Sequence, residues 1–445
     1  MVELIKKNYL QKIYKEILNF FILMFLKKFI KNILIIIIFI PIKLFAQESL
    51  VNFSGNIQTG YNYYDNYSFA PYFDKDTNEE YSAIARIIIE SNNYDNFSYE
   101  MHALQTYNYA DIKTGVSGRS LSMLSADLGE DWIKNNDESA HYYIDRANVK
   151  FTTKDLDIYL GRLAVSFGKP QFWNLFDYYG SSYLNQDFKS GIDAVRIDKS
   201  FTNFSGANIV VNKMKKYNES GSYLENTLTQ SYQRIGLERE VGFLLRGYTT
   251  INDTDYALLY KSEPEGHRVG FEVDGEIGSV NIYNEITYLL ATDKILMPGS
   301  YQGNLLKNYF MNVLGINYRF NNNLQIIVEH LFNGLGDSNN LDASNIRYKN
   351  GLNSSLNEHL SGISLNYEFN PLLIGKYDVK IAWQDSSHQH NLTLTKSITD
   401  NLDFILGNQI NIGDRPSGGN WQNPNIQSEF GRLNNKYFLE LKSYF

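Results

Sequence analysis

The sequence predicts an all-β protein, a transmembrane antiparallel up-and-down β-barrel of about 18 strands, with 16 as the alternative count. Three observations lead there. Apolar and polar residues alternate with period two through eighteen separate segments. The connections between them alternate between short polar turns and much longer loops. The last segment, 433–445, is an amphipathic strand that ends on an aromatic residue, Phe445. Period-two alternation gives each strand one dry and one wet face. A soluble sandwich hides the dry face inside, whereas a membrane barrel turns it outward to lipid.

The stretch 141–199 shows the pattern best. Segment 142–152 sets Tyr143, Ala147, Val149 and Phe151 against Arg146, Asn148 and Lys150. After a turn at 153–155, segment 158–168 sets Tyr159, Leu163, Val165 and Phe167 against Leu160, Arg162, Ala164 and Ser166. Segment 191–198 sets Val195 and Ile197 against Ala194 and Arg196. Upstream lie segments 51–63, 81–91 and 97–107. Downstream come 204–213, 241–251, 256–262, 267–276, 279–291, 308–320 and 324–332. The last five are 360–369, 378–385, 391–397, 402–412 and 433–445. Short turns fall at 153–155, 200–203, 252–255, 278, 321–323 and 400–401, and long polar loops at 65–80, 110–140 and 334–356. Short turns on one rim and long loops on the other are the asymmetry of outer-membrane barrels, and an even strand count puts both ends on the short-turn rim.

The first residues predict export. Lys27, Lys28 and Lys31 precede the apolar run 33–42, and Ala46 stands before Gln47. That order makes residues 1–46 a secretory signal, with Met24 the better placed start, and leaves 47–445 as the barrel. The apolar run is too short for a spanning helix of about twenty residues. The formal charge of −8 becomes −14 once the eight lysines and two glutamates of 1–46 are removed, so nucleic acid is excluded as a partner. The chain has no cysteine, which excludes disulfide and thiol chemistry. Its 34 tyrosines and 27 phenylalanines suit girdles at two membrane–water boundaries.

The run Gly161-Arg162, Phe167-Gly168, Asn174-Leu175-Phe176-Asp177 and Gly191-Ile192-Asp193-Ala194-Val195-Arg196 resembles one in porin-like barrels of Bacteroidetes-type bacteria. It is also similar to the alginate-export and OprD-type porin group of about eighteen strands. The likeness covers some 55 of 445 residues. It departs from the family at Leu163, where a polar residue is usual, and in lacking a proline before Asp177. The resemblance implies a passive or facilitated channel in the bacterial cell outer membrane, for small solutes that include anionic sugars and small acids. The closing strand 436–445 resembles the C-terminal signal that such barrels show to the assembly machinery, which makes that machinery and outer-membrane lipid the expected partners. A homo-oligomer is compatible with this reading.

Two sets of residues are candidates for handling a solute. Arg86, Arg146, Arg162 and Arg196 lie mid-strand on the wet face of strands two, four, five and six, hence on one wall. Glu272, Asp274, Glu276 and Glu285 lie on strands ten and eleven, and Glu329 on strand thirteen. A basic wall opposite an acidic one would orient anionic or dipolar solutes, although locally paired lumen residues would look the same. The loop 169–190 carries Phe172, Trp173, Phe176, Tyr178, Tyr179 and Tyr183. Trp173 and Tyr178 are expected to line a constriction if this loop folds inward, and 110–140 is its rival.

Enzymatic motifs are absent: no nucleophile elbow, P-loop or dinucleotide fingerprint occurs. His388-x-His390 lacks an evident third metal ligand, so no cofactor or metal is expected. The chain is too short for a 22-stranded barrel with a plug. A channel for small hydrophilic solutes is therefore the leading expectation. The alternatives are a non-conducting barrel that binds polysaccharide through its outer loops and an outer-membrane hydrolase.

Overall fold

The computed structural model describes residues 51–65, 79–91, 96–110, 128–134, 138–177, 189–213, 233–235, 241–263, 266–292, 294–296, 306–337, 339–349, 355–417, 419–420 and 423–445. The expected signal over 1–46 lies outside them. Eighteen strands make the barrel. They begin with β1 (Val51–Tyr64), β2 (Glu79–Ser91), β3 (Phe97–Ala110), β4 (Glu138–Thr152), β5 (Leu156–Leu163) and β6 (Ile192–Thr202). Next come β7 (Ser205–Lys213), β8 (Val241–Ile251), β9 (Thr254–Glu263), β10 (Gly266–Ile277), β11 (Val280–Ala291) and β12 (Tyr309–Arg319). The last are β13 (Leu324–Asn333), β14 (His359–Asn370), β15 (Leu373–Ala382), β16 (His388–Thr399), β17 (Leu402–Ile412) and β18 (Lys436–Tyr444).

Each strand pairs antiparallel with its neighbours in the chain, and β18 closes on β1 from Asn56↔Tyr444 to Tyr64↔Lys436. Closure leaves no edge, so every central amide finds a partner without water, which a lipid-facing sheet requires. Gly129–Lys134 adds a short strand to the outer part of β4. A helix, α1 (Leu341–Lys349), sits in the β13–β14 connection, with Asn340 Oδ1 accepting from Ala343 N at 3.0 Å as its cap.

All eight connections on one rim are at most five residues long, and the longest connections fall on the other rim. Asn252 and Asp253 make one of the two-residue turns with φ of 50° and 59°, the positive values that a two-residue hairpin of the right twist needs. The outward face carries an aliphatic belt that includes Leu160, Val195, Leu245, Leu258, Val269, Leu314, Val328 and Leu406. Exposed rings flank it. Phe97, Phe151, Phe201, Phe204, Phe320 and Phe369 ring the short-turn rim, and Tyr63, Tyr142, Tyr260, Tyr288, Phe310 and Trp383 the other. Such girdles mark the two boundaries of a bilayer.

Three expectations are corrected. β5 stops at Leu163 instead of running to Gly168, because Gly161 at φ +125° breaks the pleat and the chain then leaves the sheet. β15 spans 373–382, earlier than the expected 378–385, because the two-residue turn at 371–372 starts it inside the apolar run that follows Pro371. Third, β4 carries a β-bulge: His102 pairs with Arg146 and Ala103 with Ile144, so Asp145 is the extra residue. The bulge reverses the parity of the strand. Tyr143 therefore faces inward, packed against Ile84 and Leu104, and Asp145 joins Arg146 on the wet side.

Candidate functional site

The site is built on the lumen faces of β11 and β13. In β11 the odd positions Tyr283, Glu285, Thr287 and Leu289 are 4% exposed or less, while Tyr288 and Leu290 face lipid. In β13 Glu329 and Leu331 point inward and Val328 outward. Two carboxylates thus sit buried near mid-height. Left alone there they would be costly. The loop that follows β5 satisfies them with its backbone.

Glu285 accepts from Lys169 N at 2.9 Å and from Leu175 N at 2.7 Å. Glu329 accepts from Gln171 N at 2.5 Å, Phe172 N at 2.9 Å and Trp173 N at 3.4 Å, and from the Tyr283 hydroxyl at 2.7 Å. Five loop amides are therefore held by two wall carboxylates. Asn174 Oδ1 turns back to accept from Phe176 N at 2.9 Å, which closes the bend between the two anchors. Lys169 reaches Asp274 at 3.0 Å.

Side chains reinforce the backbone bonds. Val165 and Phe176 bury among Leu163, Ile192, Val210, Leu244 and Leu259 on the β5–β9 wall. Trp173 buries among Leu289, Met311, Val313, Leu331 and Leu360 on the β11–β14 wall, with Phe172 and Leu175 packed beside it. Glycines make room for two of the rings: a Cβ at Gly270 would strike Phe176, and one at Gly362 would strike Phe172. Phe167 lies between the Arg196 and Arg246 guanidiniums, each 5.4 Å from its ring. The loop crosses the lumen from one wall to the other. Its inward fold, expected from the aromatics, is what the described residues 164–177 adopt; Tyr178 and the rest of the loop to 188 lie outside them. Most of the rival connection, 111–127, lies outside them too.

The four arginines lie on β2, β4, β5 and β6, and each stands within 4 Å of a carboxylate. Arg86 lies 3.7 Å from Asp145, and Arg146 bonds Glu100 at 3.0 Å. Arg162 grips Asp193 through two nitrogens, at 2.8 and 3.4 Å, and donates to Ile144 O at 2.7 Å. Arg196 holds Asp198 at 2.8 Å. Exposure separates them: the Arg86 and Arg162 side chains are 7% and 3% exposed, those of Arg146 and Arg196 20% and 23%. Glu272 and Glu285 are direct cross-strand partners, and Arg246, 3.6 Å from Glu272, supplies the positive charge between β8 and β10. Arg246 was not among the expected residues, although its mid-strand place opposite Leu245 is the same pattern that marked the others. Glu285 and Glu272 are 0% and 1% exposed, so they brace the wall beneath the loop instead of facing open water.

Glu90, Glu100 and His102 come close enough to share a metal ion. Their hydrogen bonds argue against it. Arg86 approaches His102 Nδ1, and a guanidinium can only donate. The proton of a neutral ring is then on Nε2, which has Glu100 Oε1 2.7 Å away. That nitrogen has no lone pair for a metal. At His388-x-His390, the His390 Nδ1 is engaged by the Tyr377 hydroxyl at 2.6 Å.

No family profile matches the chain, and no curated protein matches it. Solved structures do. OccAB3 of Acinetobacter baumannii aligns over 89% of this chain and 99% of its own, with TM-score 0.51 and 11% identity. OccK8 (OprE) of Pseudomonas aeruginosa aligns over 89% and 98%, with TM-score 0.52 and 9% identity. OccAB2 of A. baumannii aligns over 90% and 99%, with TM-score 0.50 and 11% identity. At such identities the likeness is one of fold, and the fold is the 18-strand porin barrel of the Occ, or OprD-type, structures.

Proposed function

We propose that this protein is an outer-membrane channel for passive diffusion of small hydrophilic solutes, anionic or sugar-like, through a lumen narrowed by the loop after β5. The observation that carries the reading is the capture of five loop amides by Glu285 and Glu329 at mid-height. An 18-strand barrel is wide enough for an aqueous channel, and a loop held across it sets the size limit. Closed barrels that serve only as anchors need no such device.

The charge pattern supports a division of labour among the predicted residues. Arg86 and Arg162, buried against Asp145 and Asp193, order the wall. Arg146 and Arg196, more accessible, face the solute, together with Lys380, which lies 5.9 Å from the Phe172 ring and has no ion pair with a described carboxylate. Trp173 fixes the loop from within its apolar pocket, and Tyr178 follows it five residues later in the sequence. The kinship to Bacteroidetes-type and alginate-export barrels rests on the run 161–196 alone. Flux of small sugars and organic acids into proteoliposomes tests the channel. Uptake that depends on solute size supports it, and vesicles as tight as protein-free ones refute it.

A further inference from the structure

Five of the seven histidines lie away from the lumen network, and two of them meet on the lipid face near the outer rim. His330 of β13 and His359 of β14 are diagonal neighbours, since His330 pairs with Ser361 and Phe332 with His359. Their rings are stacked, and His330 Nε2 lies 3.3 Å from His359 Nδ1. The other nitrogen of His330, Nδ1, is 3.0 Å from Ser361 Oγ. Trp383 Nε1, a donor only, occupies the same Oγ at 2.8 Å.

We propose that His330 Nε2 and His359 Nδ1 form a rim site for a borderline divalent transition metal such as Cu²⁺, Ni²⁺ or Zn²⁺, with water completing the coordination. Bonds of about 2.0–2.1 Å put two imidazole nitrogens about 3.4 Å apart at a tetrahedral Zn²⁺ and about 2.9 Å apart at neighbouring corners of a square Cu²⁺ or Ni²⁺ site, so the observed 3.3 Å separation is of the right span. Ser361 supplies the outer contact that metal-binding histidines ordinarily have: it accepts Nδ1–H of His330 and so leaves the lone pair on Nε2. His359 then carries its proton on Nε2, a tautomer shift with no net proton released. This distinguishes the pair from His102, whose Nδ1 is held by an obligate donor.

The experiment is Cu²⁺ titration of the tag-free barrel in detergent, followed by calorimetry and electron paramagnetic resonance. The expected result is one Cu²⁺ per barrel, with hyperfine splitting from two imidazole nitrogens. His330→Ala and His359→Ala should each weaken binding at least about tenfold, and Ser361→Ala by about 10–100-fold. The His388→Ala/His390→Ala double variant should bind as the native protein does. Variants enter the comparison once a heat-sensitive gel shift shows the closed barrel. The proposal is overturned if native protein binds no Cu²⁺, if the two-nitrogen signal survives His330→Ala/His359→Ala, or if it is lost in the His388/His390 control.

Discussion

Replacing Glu329 by glutamine tests how the constriction is held. The native carboxylate takes Gln171 N and the Tyr283 hydroxyl on Oε1, and Phe172 N and Trp173 N on Oε2. Glutamine keeps one oxygen and turns an NH₂ toward amides that themselves donate. The bond to Phe172 N is lost outright, at about 1.5–3 kcal/mol for a charged acceptor. The bonds that survive fall to roughly half their strength once the charge is gone. The total is about 3–5 kcal/mol of docking free energy, which moves the ratio of docked to undocked loop by roughly 10²–10⁴-fold. Glu285 and the burial of Trp173 and Phe176 still favour the docked form, so the loop should fluctuate instead of leaving. Single-channel recordings should show the native level interrupted by a larger one, and Glu285→Gln/Glu329→Gln should hold the larger level most of the time. Native conductance and native noise in the double variant, in protein shown to be folded, would refute the anchoring argument.

Arg162→Met removes one partner of a buried two-point ion pair and should destabilise the barrel by about 3–5 kcal/mol in urea unfolding, leaving ion selectivity unchanged; a selectivity change without destabilisation would contradict this. Lys380→Glu should shift the reversal potential in a salt gradient toward cation preference, and an unmoved potential would remove Lys380 from the solute path. In the β17–β18 connection, burial holds the Glu429 carboxyl above the usual carboxylate range, outweighing Arg432 at 3.7 Å and the amides of Asn357 and Leu356. The folded loop then binds that proton more tightly than the unfolded chain, so its stability falls as pH rises from the ordinary carboxyl range through the raised value. Hydrogen-exchange protection at 355–357, corrected for intrinsic rates, should decline across that window in native protein and stay level in Glu429→Gln. Equal slopes would show that another group carries the dependence.

Much of the barrel was legible because period two is a local property. Phe97, Phe151 and Phe320 declare themselves as lipid-facing by their immediate neighbours. Register is not local. That Arg162 faces Asp193, or Glu272 faces Glu285, depends on how strands slide past one another, and a single inserted residue at Asp145 reverses the faces of half a strand. The aromatic loop was recognisable from its rings. Its anchors were not, because Glu285 and Glu329 bind backbone amides more than a hundred residues away, and an amide carries no mark in the sequence. The same acidic residues therefore read as an open acidic wall until the loop was seen lying on them.

The most direct test of the central claim is the conductance of the purified, refolded barrel in a planar bilayer. A channel narrowed by a fixed loop predicts steady, ohmic single-channel steps at low voltage. A folded barrel that stays closed at every voltage and salt concentration would contradict it, and would favour a surface protein that acts through its outer loops.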